Sequence, residues 1–409
     1  MSELSPLKRN VALFALALGG FAIGITEFAT MGLLPEIARD LLPDYARAPE
    51  DVIAQAGSLI SVYALGVVVG APLFAVFGAR MSQVRLALML LGLLSLGTLA
   101  SALMPAFGAV VLFRFIAGLP HGAYFGVVSL LASRLMGPGG EGRGIALTMS
   151  GLTLANVIGV PLSTVLGQEL GWRWVHIMVA LLFAVTLVLV RVFLPAWPGD
   201  PRRSPLHELS ALRSAPLWAM VGVSSIGFGG FFAVYSYIAE VTVREAALSA
   251  DAIPWVLATM GVGMTIGNLL GGVLTDRRPA AAAVWGLALS VVALTSYSLF
   301  AQTAIGLYVC AFFASGTSAI LMPALQSRLI RVAGEARLFG AALNHAGFNI
   351  ANGLGAGLGG AVIAAGWGYL APGWVGVALA GVGLALMLIS LRLDATVADA
   401  PRLFDRPLS

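Results

Sequence analysis

Two stretches decide the fold: YALGVVVGAPLFAVFGAR (Tyr63–Arg80) and TMGVGMTIGNLLGGVLTDR (Thr259–Arg277). A shift of 197 lays Gly66 on Gly263, Gly70 on Gly267 and Arg80 on Arg277. A second pair, ANVIGVPLS (Ala155–Ser163) and ANGLGAGLG (Ala351–Gly359), matches at a shift of 196, and Gly171-Trp172 is answered by Gly366-Trp367. The chain states one plan twice.

Composition says what each statement is made of. The 409 residues are 59% hydrophobic and 10% charged, with a mean hydropathy of +0.94. Soluble domains carry about 25% charge, so this chain lacks the polar surface to cover a water-soluble globule. A hydrocarbon core of ~30 Å takes about 20 apolar helical residues per crossing. Cutting at charged and turn-rich breaks gives twelve helices: 10–34, 52–77, 86–104, 108–136, 144–168, 172–194, 215–241, 252–275, 281–301, 304–330, 338–364 and 373–393. The expected fold class is an all-α membrane protein, twelve transmembrane helices in two pseudo-symmetric six-helix bundles. Residues 1–194 form the first bundle, 195–214 a cytoplasmic linker, and 215–409 the second bundle with a short tail. Most of the 50 glycines lie inside apolar runs, where they allow close helix packing.

Lys and Arg set the orientation. By these spans 18 of them fall on the side of the termini and four (Arg39, Arg47, Arg173, Arg244) on the other, with Arg114 inside the membrane. The positive-inside rule makes both termini cytoplasmic. Topology thereby accounts for the pI of about 9.5, and no nucleic-acid partner is needed. All eight tryptophans fall near predicted helix ends, as an interfacial belt requires. Lys8-Arg9 resembles a signal n-region, but the apolar run is too long and lacks a small-residue cleavage site, so helix 1 is expected to be retained. A single cysteine, Cys310, rules out an intramolecular disulfide and a cysteine metal cluster.

Repeated six-helix halves with a cavity between them are how major facilitator transporters are built. GGVLTDR (Gly271–Arg277) resembles that family's G-x-L-x-D-R loop, and RFIAGLPHG (Arg114–Gly122) its helix-4 motif, R-x-x-x-G-x-x-x-G. GVPLSTVLGQELGWRW (Gly159–Trp174), ITEFATMGLLPEIA (Ile25–Ala38) and SYIAEVTV (Ser236–Val243) resemble the arabinose-efflux and sugar-efflux branch of the twelve-helix drug:proton antiporters. The resemblance implies alternating access in a bacterial inner membrane, by a monomer, with protons as the coupling ion. It departs in three places. Ala79 stands where the first-half loop usually has Asp, helix 5 reads Gly159-Val160-Pro161 without a Gly-Pro pair, and Glu240 stands where an apolar residue or Pro is expected.

The stretch FAIGITEFATMGLLPEIARDL (Phe21–Leu41) puts Glu27 inside the first apolar helix. At 1.5 Å per residue Glu27 and Arg114 both lie about 10 Å from the outer ends of their helices. Opposite charges at one depth are natural partners, and an unpaired one would cost several kcal/mol. Either they form a permanent staple, or Glu27 titrates and couples protons to conformation. The second reading is preferred because intramembrane ionisable groups mark pathways. His121 lies two turns beyond Arg114 on one helix face and completes the candidate proton-coupling set.

Candidate substrate-binding residues are Tyr124, Asn156, Tyr235, Tyr237, Asn344, His345, Phe348 and Asn352, with plain helix packing as the alternative for each. Asn156 and Asn352 are repeat mates. Arg80, Asp276 and Arg277 at cytoplasmic ends, and Gly159 and Pro161 in helix 5, are candidate gating residues. No phosphate loop, H-E-x-x-H or G-x-S-x-G is present, so neither an ATP-driven pump nor an enzyme is expected, and no catalytic residue, metal or other cofactor is assigned. The substrate is expected to be drug-like, a sugar or a nucleoside, exported against protons. Proton-coupled import, facilitated diffusion or a non-transporting receptor are the alternatives.

Overall fold

Helices form because every backbone polar group inside lipid must be satisfied within its own segment. The computed structural model describes residues 5–78, 80–137, 141–195, 197–198, 215–332 and 337–398. Its helices are α1 (Pro6–Gly32), α2 (Pro49–Gly78), α3 (Gln83–Leu103), α4 (Phe107–Gly118 and His121–Met136), α5 (Glu141–Leu154 and Val160–Leu170), α6 (Trp172–Phe193), α7 (Ala215–Gly227, Gly229–Tyr235 and Ile238–Glu240), α8 (Ile253–Arg277), α9 (Pro279–Phe300), α10 (Ala304–Val332), α11 (Arg337–Ala364) and α12 (Ala371–Ala398). Eleven of them are long and apolar enough to cross a membrane; α11 is long enough, but its Asn, His and Gly residues lower its hydropathy. Large apolar side chains such as Leu96, Trp255, Trp285 and Ile305 point outward on the described surface. In water so broad an apolar skin would drive aggregation.

Each short connection reverses the chain, so α1 begins and α12 ends at one end of the bundle, the terminal end. The opposite end is the far end. The linker 195–214 falls almost wholly outside the described residues.

The repeated glycines acquire a physical reason. A Cβ on Gly66 would fall 2.3 Å from the Phe115 carbonyl oxygen, and on Gly70 1.8 Å from that of Leu119, so α2 crosses α4 backbone to backbone. Their repeat mates do the same in the last six helices, Gly263 against the Phe312 carbonyl (2.5 Å) and Gly267 against that of Gly316 (1.9 Å), where α8 crosses α10. The Gly-Trp pairs are likewise one device used twice. Gly171 turns α5 into α6 at φ 98°, and Gly366 leads from α11 toward α12 at φ 76°, a region that favours glycine.

Three helices expected to be continuous are not. Pro120 cannot donate to the α4 ladder, and the helix breaks at Leu119–Pro120. In α5 a π-helical turn, Ala155–Gly159, precedes Pro161 and absorbs its missing N–H. α7 is interrupted at Phe228 and Ser236–Tyr237 and ends in a second π turn, Val241–Glu245. Helix 1, expected to reach residue 34, stops at Gly32 and restarts as the short helix Leu34–Leu41 with Pro35 in its first turn.

That short helix is tied down at the far end. The Trp172 indole donates to Asp40 Oδ2 at 2.9 Å, Arg173 pairs with the same carboxylate, and Arg173 Nη2 donates to the Met104 carbonyl at 3.2 Å. Partial burial works to raise the Asp40 pKa, but the Trp172 and Arg173 hydrogen bonds and the Arg173 charge outweigh it and hold it below the usual carboxylate value. A lowered folded-state pKa contributes stability above the ordinary carboxylate value and loses it as pH falls. The thermal midpoint in detergent is therefore expected to fall as pH drops from about 5 to 3. Asp40→Asn should remove part of that slope; an unchanged slope would dismiss the contribution.

Candidate functional site

Glu27 lies on α1, 7% exposed, and the hydrogen bond to its carboxylate comes from the other half of the molecule: Asn352 Nδ2 of α11 donates to Oε1 at 3.0 Å. The direct Glu27–Arg114 staple considered from the sequence is not formed. Ion pairs among the described residues are Arg47–Asp44, Arg173–Asp40 and Arg244–Glu240. Successive helical residues point 100° apart, and Arg114 meets Thr26 instead, through Nη1 to the carbonyl and to Oγ1, both at 3.1 Å. Its guanidinium also sits 4.2 Å above the Tyr63 ring, where the ring's negative face helps to hold a buried cation.

From Arg114 a chain of contacts runs toward the second half. The Tyr63 hydroxyl lies 3.0 Å from His121 Nδ1, His121 packs on Phe125 at 5.5 Å, and Phe125 stacks on His345 of α11 with centroids 5.1 Å apart and planes 4° from parallel. On the α7 side, Phe28 packs edge-on to Tyr235 at 5.1 Å and parallel to Phe232 at 6.2 Å, while Phe228 meets Phe348 at 4.7 Å. Tyr235 OH and Asn352 Oδ1 have no hydrogen-bond partner among the described residues; Asn344 is buried on α11 with its Oδ1 likewise unpaired, and no described contact joins it to these groups. Buried polar groups left unpaired are costly.

The structure thus brings Glu27, Arg114, His121, Tyr235, His345, Phe348 and Asn352 into one region at the meeting of the two halves. It takes others away. Tyr124 OH donates to the Leu16 carbonyl at 3.1 Å and its ring fills the gap over Gly19, so it packs α4 on α1. Tyr237 OH donates to the Ala356 carbonyl at 2.6 Å and lies against Gly57, Gly359 and Gly360. Asn156 spends its Nδ2 on Leu152 of its own helix, at 3.1 Å. Of the gating candidates, Gly159 and Pro161 flank the end of the π turn, and Arg80 and Arg277 are exposed at the terminal end. The Asp276 side chain lies outside the described residues.

The far end carries a cluster that the sequence reading left incomplete. Glu240 is buried at the end of α7 and pairs with Arg244 one turn on; Tyr45, between α1 and α2, donates to Glu240 Oε1 at 3.4 Å. Arg39 and Arg244 flank the Tyr45 ring at 5.2 and 6.0 Å, and Arg244 also lies 5.3 Å from the Tyr369 ring. The i, i+4 spacing of Glu240 and Arg244 was the readable signal. At the same end Gln168 donates to the Ala250 carbonyl at 2.9 Å, and near the middle of α2 and α11 Ser61 donates to that of Gly353 at 3.2 Å, so described polar contacts between the halves run from the far end inward. Arg244→Ala leaves Glu240 without its cation, and a loss of about 1–3 kcal/mol in thermal stability is expected. Adding Glu240→Gln should recover part of it; an unchanged melt in the single variant would dismiss the pair.

A cavity of about 620 Å³ between α1 and α5 does not reach these residues; apart from Asn10 and Ser150 its walls are apolar, including Phe14, Phe21 and Leu154.

Comparison with known proteins decides the family. The Major Facilitator Superfamily model matches residues 16–249 and 223–407. The chain belongs to the major facilitator superfamily. Within it, the inner membrane transport protein YdhP of Escherichia coli (strain K12) is 35% identical over 364 residues, 89% of this chain and 91% of that protein. The putative transporter AraJ of the same organism is 32% identical over 362 residues, 87% and 89% of the two chains. These relatives support the arabinose-efflux-like branch of the superfamily. Among solved structures, a bacterial homolog of the human lysosomal transporter Spinster, in an inward-facing and unoccupied conformation, superposes with a TM-score of 0.69 at 16% identity, covering 96% of this chain and 98% of that one. The human organic anion transporter MFSD10 gives 0.68 at 17% identity, covering 94% and 100%. At such identities the likeness concerns the fold. The chain is a multi-pass membrane protein with the major facilitator architecture, and its family carries small molecules by secondary transport.

Proposed function

We propose that this protein is a proton-coupled secondary transporter that exports a small organic molecule by alternating access, with Glu27 as the group that takes and releases the proton. The observation that carries the reading is the position of Glu27: a buried carboxylate inside a membrane-spanning helix, beside a buried Arg114 with which it forms no ion pair, at the contact of the two halves. Intramembrane ionisable residues without a dedicated counter-ion are expensive to keep and mark ion pathways. A proton arriving at Glu27 neutralises the charge that a cationic or donor-bearing substrate would otherwise meet, so proton and substrate exclude one another. Exclusion of this kind produces antiport.

The halves are residues 1–194 and 215–409, joined by the cytoplasmic linker 195–214, with twelve spans and both termini in the cytoplasm of a bacterial inner membrane. The far end is then the outer face, and this structure is closed there. The substrate that fits best is a neutral or cationic amphiphile. Aromatic rings of Phe28, Phe228, Phe232 and Phe348 offer apolar contact, Glu27 offers charge, and the unpaired Tyr235 hydroxyl and Asn352 Oδ1 offer hydrogen bonds. Drug-like molecules rank ahead of sugars and nucleosides because aromatic surface exceeds polar surface there. The functional unit is the monomer. A thermal-shift screen of purified protein against such compounds identifies the substrate. Flux of that compound into proteoliposomes, with and without an imposed pH gradient, then tests the reading. Gradient-driven accumulation is expected, and flux that ignores the gradient would assign a facilitator instead.

A further inference from the structure

We propose that Asn352 is a positioning residue that ties the Glu27 carboxylate to closure of the far end, holding it in both of its protonation states. The proposal rests on the reading of Glu27 as the coupling group, and its structural half stands without that reading.

Asn352 is fully buried and reaches Glu27 across the boundary between the halves, 3.0 Å from Nδ2 to Oε1. Its position on α11 is part of the seam with α2. The next residue, Gly353, accepts from Ser61 of α2 at 3.2 Å. Two turns on, Gly360 lies against Ala54, where an added Cβ would stand 3.4 Å from the Ala54 carbonyl oxygen. Separation of α2 from α11 at the far end therefore carries Asn352 away from α1, and the bond to Glu27 exists only while the seam is shut.

The chemistry of the partner matters. A Lys or Arg at this place would donate only, and would leave an unpaired buried cation whenever Glu27 took a proton. An amide has two donors and an acceptor with two lone pairs. Asn352 Nδ2 donates to the carboxylate, while Oδ1 has no partner among the described residues. Rotating the amide by half a turn would aim Oδ1 at the protonated acid, whose O–H would then donate to it. The link between the halves survives the proton transfer, so closure of the far end does not depend on which form Glu27 holds. Other groups act on Glu27 from each neighbouring element: Arg114 of α4, Tyr63 of α2 and Tyr235 of α7. None of them donates a hydrogen bond to its carboxylate. Asn156, the repeat mate of Asn352, bonds within its own helix, so this role belongs to one half alone.

The test measures conformation and needs neither substrate nor proton gradient. Spin labels at Gln55→Cys on α2 and Ala364→Cys on α11, both exposed positions, report the far-end separation in a Cys310→Ala background reconstituted in lipid. The parent is expected to show mainly the short distance. Asn352→Leu, close in volume, should raise the share of the long distance roughly tenfold, the size of change that loss of one hydrogen bond to a charged group produces. Combining it with Glu27→Ala should add little, because both variants remove one contact. Asn352→Asp supplies a second readout. Two carboxylates facing one another repel unless one is protonated, so its far end should open at pH 8 and close at pH 5. Asn352→Asp with Glu27→Gln should lose that pH dependence. An unchanged distance distribution in Asn352→Leu, or a pH response in Asn352→Asp that persists without Glu27, would overturn the proposal. Failure of Glu27→Gln to uncouple flux would instead overturn the proton-coupling reading and leave the link from Asn352 to Glu27 standing.

Discussion

Glu27→Gln is expected to abolish accumulation driven by a pH gradient while leaving the protein folded, with substrate binding weakened toward that of the protonated parent. The substitution removes the titrating oxygen and little else. A glutamine keeps the volume, and its Oε1 can still accept from Asn352 Nδ2, so the contact between the halves is retained. Arg114 keeps its two bonds to Thr26 and its place over Tyr63, neither of which involves Glu27. The variant should therefore melt within a few degrees of the parent and exchange substrate down its own gradient, with only the proton-driven component reduced to the level of empty liposomes. Retention of gradient-driven uptake would remove Glu27 from the coupling role.

The largest structural effect is expected at the α8–α10 crossing. A Cβ on Gly267 would stand 1.9 Å from the Gly316 carbonyl oxygen, a backbone atom that no rotamer change can withdraw. Overpacking a core with extra methylenes typically costs about 1–3 kcal/mol, and more where backbone must move. Gly267→Val adds three carbons at that point and should leave little folded protein after extraction. Gly70→Val should do the same in the first half, where Leu119 is the obstacle at 1.8 Å. Gly272, in the same helix as Gly267, has nothing within 4 Å of its would-be Cβ. Gly272→Ala is the control and should melt like the parent. Recovery of well-folded Gly267→Val would mean that the crossing is looser than its geometry states.

These glycines also show how much of the molecule was legible in the sequence. Gly66, Gly70, Gly263 and Gly267 were visible as a repeat, and the structure supplies the cause, one backbone crossing built twice. Helix positions followed from apolar run lengths, because the thickness of the hydrocarbon layer fixes them. Even α11, whose Asn, His and Gly residues depress its hydropathy, was set off by the charged breaks on either side of it. Breaks inside helices were less readable. Pro120 and Pro161 were in view, but the divided α7 depends on packing that no local pattern encodes.

The site was half legible. Burial in lipid makes any charge conspicuous, so Glu27, Arg114 and Glu240 stood out at once. Their partners did not follow from depth. Arg114 chose Thr26 and Tyr63 over Glu27, a matter of which way neighbouring residues of α1 face. The bond from Asn352 to Glu27 spans 325 positions and belongs to one arrangement of the halves, which sequence spacing cannot report. Tyr124 and Tyr237 look in sequence like aromatic contacts for a substrate, with plain packing as the alternative; the structure ties their hydroxyls to the backbone carbonyls of Leu16 and Ala356.

The most direct test of proton-coupled export is to follow protons and substrate together. Proteoliposomes preloaded with the compound found by thermal shift and with a pH-sensitive dye are diluted into substrate-free buffer, with no pH gradient imposed. Outflow of substrate should acidify the lumen at a fixed proton-to-substrate ratio, and Glu27→Gln should release substrate without any change in dye signal. Substrate outflow from the parent protein with no accompanying proton entry would contradict the account.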